Sequence, residues 1–221
     1  VITDPQGNEH KLVLPMPGRF NVANALVALA VSELAGLPIE DALAGIAHVV
    51  VPGRLQRIDE GQDYLAIVDY AHKPAAVAAV IATLRSEIKG RLCVVLGAGG
   101  DRDASKRAIM GREAARGSDL FIVTDDNPRS EDPAVIRAAV EAGAYELPTE
   151  ERGEVRNIGD RAAAIRAAIA WAEPGDAVLV AGKGHETGQN VNINQLMDFR
   201  TNAYIKNLSN RNICLLYTSD A

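Results

Sequence analysis

The chain has 221 residues, 48% of them hydrophobic, and a net charge of −6 with acids and bases interspersed. That is apolar matter enough for one domain or two small ones, and the charge balance argues against a nucleic-acid or anionic-membrane partner. Aromatic residues are only 4%, which fits helices packed on a buried parallel sheet better than an aromatic-rich β-sandwich.

The first residues, ITDPQGNEHKLVLPMPG, read as a short β segment with turns at Pro5-Gln6-Gly7 and Pro17-Gly18. Phe20 to Ala35 carries apolar residues at helical spacing and stops at Gly36, a C-terminal capping glycine. Pro38 opens a second short helix, PIEDALAGIAHV, whose early acids suit the helix dipole. This helical pair has little to pack against by itself and reads as the end of a domain that begins upstream.

From Val51 the pattern changes. YLAIVDY, RLCVVLG, DLFIVTD, Val155 to Ile158 and DAVLVAG read as strands. Between them Pro74 to Ile88, Ser105 to Arg116, Asp132 to Ala142 and Asp160 to Ala172 read as helices. Short β-branched runs alternating with helices make βα units, hence an α/β fold with a mostly parallel sheet, helices on both faces and right-handed crossovers. Cys93 lies in one of the apolar runs and reads as a small buried thiol. With Cys214 far away, the two cysteines make neither a disulfide framework nor a zinc site. No signal peptide or membrane-spanning stretch is visible, so a soluble, reducing, cytoplasmic setting is expected. Residues 190–221 leave the pattern. They are rich in Asn, and the terminal CLLYTSDA resembles the translated end of a sequencing-library adapter. The stretch is expected to be foreign, with a genuine disordered tail as the alternative, and Cys214 to Ala221 carry no weight in the fold.

In such sheets ligands bind outside the carboxyl ends of the strands. Four polar segments occupy those places: Asp69-Tyr70-Ala71-His72, GAGGDRD (97–103), DDNPR (125–129) and GKGHE (182–186). GAGGDRD is a tight strand-to-helix turn or an anion-binding loop. It is not a phosphate-binding loop of the GxxxxGK[ST] kind, which occurs nowhere in the chain. Asp69 accepts ribose hydroxyls or caps the following helix. DDNPR is an Asx turn or a device that fixes Asn127 against Arg129. GKGHE is a turn with solvated charges or a charged wall, and a lone His is not a metal site. Together Arg102, Asn127, Arg129 and Glu186 can bind a zwitterion, with arginines on carboxylates and Glu and Asn on an ammonium.

GRFNVANAL (18–26), VPGRLQRI (51–58), VDYAHKP (68–74), GAGGDRD, TDDNPR and AGKGHETGQ (181–189) also stand in the order found in the Mur ligases of bacterial cell-wall synthesis. Residues from about 15 to 189 resemble that family, and in particular its diaminopimelate-adding members. The resemblance implies three domains: one for the UDP-sugar, a P-loop ATPase and a Rossmann-like domain for the incoming amino acid. Residues 1–50 would be the end of the ATPase domain and 51–189 the Rossmann-like domain. The upstream domains would carry the phosphate-binding loop, a carbamylated lysine and most contacts to ATP and Mg2+, so no metal ligand is expected here.

By the same resemblance, Asn21, Asn24, Asp69 and His72 belong to nucleotide binding, and Arg54 reaches the ATP γ-phosphate. Arg102, Asn127, Arg129, Gly182 and Glu186 would hold meso-diaminopimelate. Lysine-adding members differ at DNPR. A guanidinium at 129 suits a side chain with its own carboxylate and repels the bare cation of lysine. Gln56 departs from a Glu common in the family, and the pattern ends after Gln189. The implied activity is ATP-dependent addition of meso-diaminopimelate to a UDP-muramoyl dipeptide in peptidoglycan synthesis. A lysine-adding ligase, a folylpolyglutamate synthetase-like ligase and a noncatalytic binding module are the alternatives.

Overall fold

In a computed structural model of the protein, the chain divides into two compact units, Val1–Val51 and Pro52–Ala221. The structure describes residues 1–186, 188–192 and 195–198. In the first unit, β1 (Ile2–Thr3) and β2 (Glu9–His10) pair antiparallel. The Asp4 carboxylate closes their turn by accepting the N–H groups of Gln6 and Asn8 and facing His10 Nε2 at 3.0 Å. His10, and then Asn8, hold that carboxyl well below its usual range. Helix α1 (Arg19–Leu34) ends at Gly36 with φ +79°. The Gly36 N–H reaches Glu33 O and the Leu37 N–H reaches Ser32 O, a Schellman close that needs a residue able to take positive φ. Helix α2 (Ile39–Ala47) follows Pro38 and carries Glu40 and Asp41 in its first turn.

The second unit is built on a sheet of six strands. In chain order come β3 (Gln56–Ile58), β4 (Leu65–Val68), α3 (Pro74–Glu87), β5 (Leu92–Leu96) and α4 (Ser105–Gly117). Then follow β6 (Leu120–Val123), α5 (Pro133–Tyr145), β7 (Glu154–Asn157), α6 (Arg161–Trp171) and β8 (Ala177–Val180). The sheet order is β3-β4-β8-β5-β6-β7, parallel except for β3. The chain steps outward from β5 to β7, then returns to insert β8 between β4 and β5. That reversal is a topological switch point, where the loops at the carboxyl ends part and leave a crevice.

Alternation along the strands sends side chains to two apolar layers. Val94, Leu96, Phe121, Val123 and Leu179 pack with Leu84 of α3, Met110 of α4 and Val140 of α5. Cys93, Val95, Leu120, Ile122, Val178 and Val180 pack on the other face with Ala164, Ile165 and Ala168 of α6. Every residue of β5, β6 and β8 is buried, which is why these strands read as unbroken apolar runs. Helices therefore cover both faces, and each expected helix is present with ends shifted by a few residues. Three elements were not anticipated. One is β3, another a 3-10 turn at Thr149–Glu151. The third is an antiparallel hairpin of β9 (Gly188–Asn192) and β10 (Gln195–Asp198), in a stretch read as patternless. Most of the 190–221 stretch expected to be foreign, Cys214 to Ala221 included, lies outside the described residues. Among the described residues no helix is long and apolar enough to cross a membrane.

Candidate functional site

The loops leaving β4, β8, β5 and β6 line a cavity of about 370 Å³ at the switch point. Arg102, Asn127, Arg129, Gly182, Glu186 and His72 all face it, so residues far apart in sequence meet at one mouth. Asp126 is part of the same wall, although sequence reasoning passed over it.

The loops after β5 and β6 are fastened to each other. The Gly100 N–H donates to Asn127 O at 2.8 Å, and Gly100 has no room for a Cβ because Pro128 O lies against it. Buried Arg107 donates to both oxygens of Glu131, at 2.9 and 2.7 Å. Glu131 also accepts the Asp101 N–H at 2.6 Å, and Asp101 accepts the Ser130 hydroxyl at 2.6 Å. Arg107, and then the Asp101 N–H, hold the Glu131 carboxyl below its usual range. This web keeps two non-glycine residues at positive φ, Asp101 at +51° and Arg129 at +54°, an uncommon conformation that persists where the surroundings impose it. Arg129 is aimed by it. Its Nη1 donates to Gly100 O at 2.6 Å, which ties one guanidinium nitrogen to the backbone. Arg102 is exposed on the same rim and makes no hydrogen bond or ion pair among the described residues.

The opposite wall rests on Lys183, whose side chain is 0% exposed. It leaves β8 between Gly182 at φ +102° and Gly184 at φ +50°. Both of those glycines donate their N–H to Asp69 O, at 3.1 and 3.2 Å. The Lys183 ammonium donates to Asn127 Oδ1 at 3.0 Å, Glu186 Oε2 at 3.0 Å and Gly188 O at 3.2 Å, with Asp126 Oδ1 at 3.3 Å. The acceptors that sequence reasoning reserved for a substrate ammonium thus already meet a cation of the protein's own. Lys183 was read as a presented charge; that it is buried and faces Asp126, from the loop after β6, was not legible in the sequence.

Adjacent Asp125 and Asp126 illustrate the electrostatics. Burial raises both carboxyls. For Asp125 this prevails over the pairing with Arg137, and the group stays above its usual value. For Asp126, Lys183 and Arg161 outweigh burial and hold it below. Arg161 opens α6, is 2% exposed and donates to Ala181 O at 2.7 Å. Burial lowers its own protonation tendency, against the pull of Asp126 and Glu186.

On the β4 side, the Arg54 guanidinium is exposed and stacks 4.5 Å from the centre of the Tyr70 ring. The rings of His72 and His185 lie 4.7 and 5.7 Å from that ring. Asp69 is only 5% exposed. Its carboxylate accepts the N–H groups of Leu55 and Ala71, each at 2.7 Å. It thereby fixes the Arg54 turn, with Leu55 at φ +42°, and stands outside the cavity lining. Asn21 and Asn24 belong to the first unit. Asn21 is buried and donates to Pro17 O at 2.6 Å, while Asn24 is exposed. Among the described residues no group of three or more His, Cys, Asp or Glu is placed to hold a metal ion.

The sequence profile of "Mur ligase, glutamate ligase domain" matches residues 53–184. The chain is 63% identical over 190 residues to the UDP-N-acetylmuramoyl-L-alanyl-D-glutamate–2,6-diaminopimelate ligase of Corynebacterium efficiens, covering 85% of this chain and 36% of that protein. A solved structure of a ligase of the same description superimposes with a TM-score of 0.67 and 34% identity, over 94% of this chain and 41% of that one. The folylpolyglutamate synthase of Mycobacterium tuberculosis, solved with ADP and AMPPCP, gives a TM-score of 0.60 and 26% identity over 80% of this chain and 40% of that one. The chain spans a little over a third of the length of the curated relatives it matches.

Proposed function

The chain belongs to the Mur ligase family, and on that premise we propose that it is the amino-acid-binding part of an ATP-dependent ligase. The intact enzyme would add meso-diaminopimelate to UDP-N-acetylmuramoyl-L-alanyl-D-glutamate in peptidoglycan synthesis. One observation carries the substrate choice: Arg102 and Arg129 face the same cavity as Asp126 and Glu186. A guanidinium pair selects a carboxylate, and the acids select an ammonium. The distal end of diaminopimelate offers both, whereas that of lysine offers only a cation.

ATP would activate the D-glutamate γ-carboxylate as an acyl phosphate, which the free amine of diaminopimelate then attacks. This chain's part is positioning. The cavity holds the distal zwitterion so that the reacting amine projects out of the mouth, turning a bimolecular encounter into an oriented one. Arg54 is exposed and carried on Tyr70, which suits a contact to phosphate on domain closure. His72 flanks the same ring. A ribose contact from Asp69 would need a hydroxyl to reach a carboxylate that is already bonded to two backbone N–H groups. Asn21 and Asn24 would serve the nucleotide from the first unit. Magnesium would be held by upstream domains.

The test supplies the intact protein with ATP, the UDP-muramoyl dipeptide and one amino acid at a time. Product with meso-diaminopimelate, and about 100-fold less kcat/KM with L-lysine, is expected from the loss of a charge-assisted pair. Equal use of the two, or preference for lysine or glutamate, would overturn the reading. The 221-residue chain alone is expected to form no product.

A further inference from the structure

Lys183 is buried, charged and unused by the mechanism above. A fully enclosed ammonium cannot touch a ligand, and it is costly unless its protons are all met. Here four oxygens surround it within 3.3 Å. Three of the four belong to Asp126, Asn127 and Glu186, side chains that line the cavity. Whatever Lys183 does for a ligand is therefore done through those three.

Two consequences follow from the donor chemistry. An ammonium only donates, so the contact to Asn127 Oδ1 fixes the flip of that amide, with oxygen on Lys183 and Nδ2 as the donor end. The Asn127 oxygen is thereby taken up by the protein and is not left for a ligand ammonium. Secondly, Asp126 and Glu186 are like charges on one wall and would repel. A cation bridging them, with Arg161 adding its field beside Asp126, offsets that repulsion and aims both alike.

Resting on the diaminopimelate reading, we propose that Lys183 is a positioning and specificity-determining residue of the amino-acid site. It holds an acceptor edge, Asp126 with Glu186, apart from the donor edge of Arg102 and Arg129, and keeps the Asn127 oxygen committed to the protein. That partition is what separates a zwitterionic side-chain end from the bare cation of lysine.

The experiment is steady-state kinetics of the intact ligase carrying Lys183→Met, which keeps the chain length and removes the charge. The KM for diaminopimelate should rise about 30-fold, the scale of one charge-assisted hydrogen bond. The preference over L-lysine should fall about tenfold or more by the same scale, and the KM for ATP should stay within about twofold. A purely structural role would lower the active fraction and leave the KM values and the preference ratio in place, and that result would overturn the proposal. Should Lys183→Met fail to fold because it strands two acids, Lys183→Met/Glu186→Gln compared with Glu186→Gln alone reads the same ratio. No change in preference between those two proteins would also overturn it. If the intact enzyme favours another amino acid, the substrate reading fails. The ratio of that amino acid to its nearest competitor, with and without Lys183, still decides the role of the lysine.

Discussion

At the amino-terminal edge of the sheet, Arg91 gives Asp176 its backbone N–H at 2.8 Å and two guanidinium hydrogen bonds at 3.1 and 2.6 Å, and lies 4.3 Å over the Trp171 ring. Nearby, Asp119 Oδ2 accepts from Arg85 at 2.6 Å and from the Leu92 N–H at 2.8 Å. At the carboxyl edge, Arg102 meets no acid among the described residues, Arg129 is held by backbone carbonyls, and two acids share one buried lysine. Both edges are charged. At the first, Arg91 and Arg85 already have their acids and the pairs tie loops to strands. At the second, Lys183 and Arg107 are paired with acids while Arg102 and Arg129 meet none among the described residues, and this leaves those two guanidiniums able to answer a ligand.

The largest effect that would break this contrast lies in the unneutralised guanidiniums. Arg129→Ala in the intact ligase should raise the KM for diaminopimelate by about 100-fold or more, as for loss of a bidentate charged pair, with ATP binding little affected. Equal losses for both substrates would mean that Arg129 shapes the protein and does not read the ligand.

At the other edge the effect should fall on stability alone. Asp176→Ala removes a carboxylate that is 5% exposed and strands the groups of Arg91, at about 3 kcal/mol. Hydrogen exchange of the β5 and β8 amides should quicken accordingly, while the KM for diaminopimelate stays put. A changed KM would erase the distinction between the edges.

A smaller effect comes from pH. Burial raises the Asp176 carboxyl, but the hydrogen bonds from Arg91 and the Glu173 N–H outweigh it and hold it below its unfolded value. The unfolded chain therefore binds the proton more readily. The stabilisation is present above about pH 4, the unfolded aspartate range, and is lost as pH falls through the lower folded value. Exchange at β8 that ignores acidification in that window would contradict the pairing. The least effect is expected at Cys93, 0% exposed, whose thiol burial pushes far up. Native protein should leave it unlabelled by a thiol reagent, and peptide mapping should find label there only after denaturation.

The parallel strands were legible because a strand covered on both faces is a short apolar run between polar turns, as in Leu120–Val123. β3 was missed because, beside Gln56 and Arg57, it offers only one apolar residue, the buried Ile58, too little for a period. Arg102, Asn127, Arg129 and Glu186 were readable as strand-end residues, since the fold brings such ends together. Their partners were not. Nothing in a linear GKGHE distinguishes a lysine that points to water from one buried under Asp126, and nothing in DYAH shows that the Asp69 carboxylate turns inward to Leu55 and Ala71. Hydrogen-bond partners are set by tertiary packing, which composition and spacing do not encode.

The central claim is that one cavity at the switch point grips both charges of a zwitterion. A crystal structure of the intact ligase with meso-diaminopimelate bound tests it most directly. The account predicts the distal carboxylate about 3 Å from Arg102 and Arg129, and the distal ammonium at similar distances from Asp126 and Glu186. An amino acid bound elsewhere, or with its ammonium toward the arginines, would contradict it.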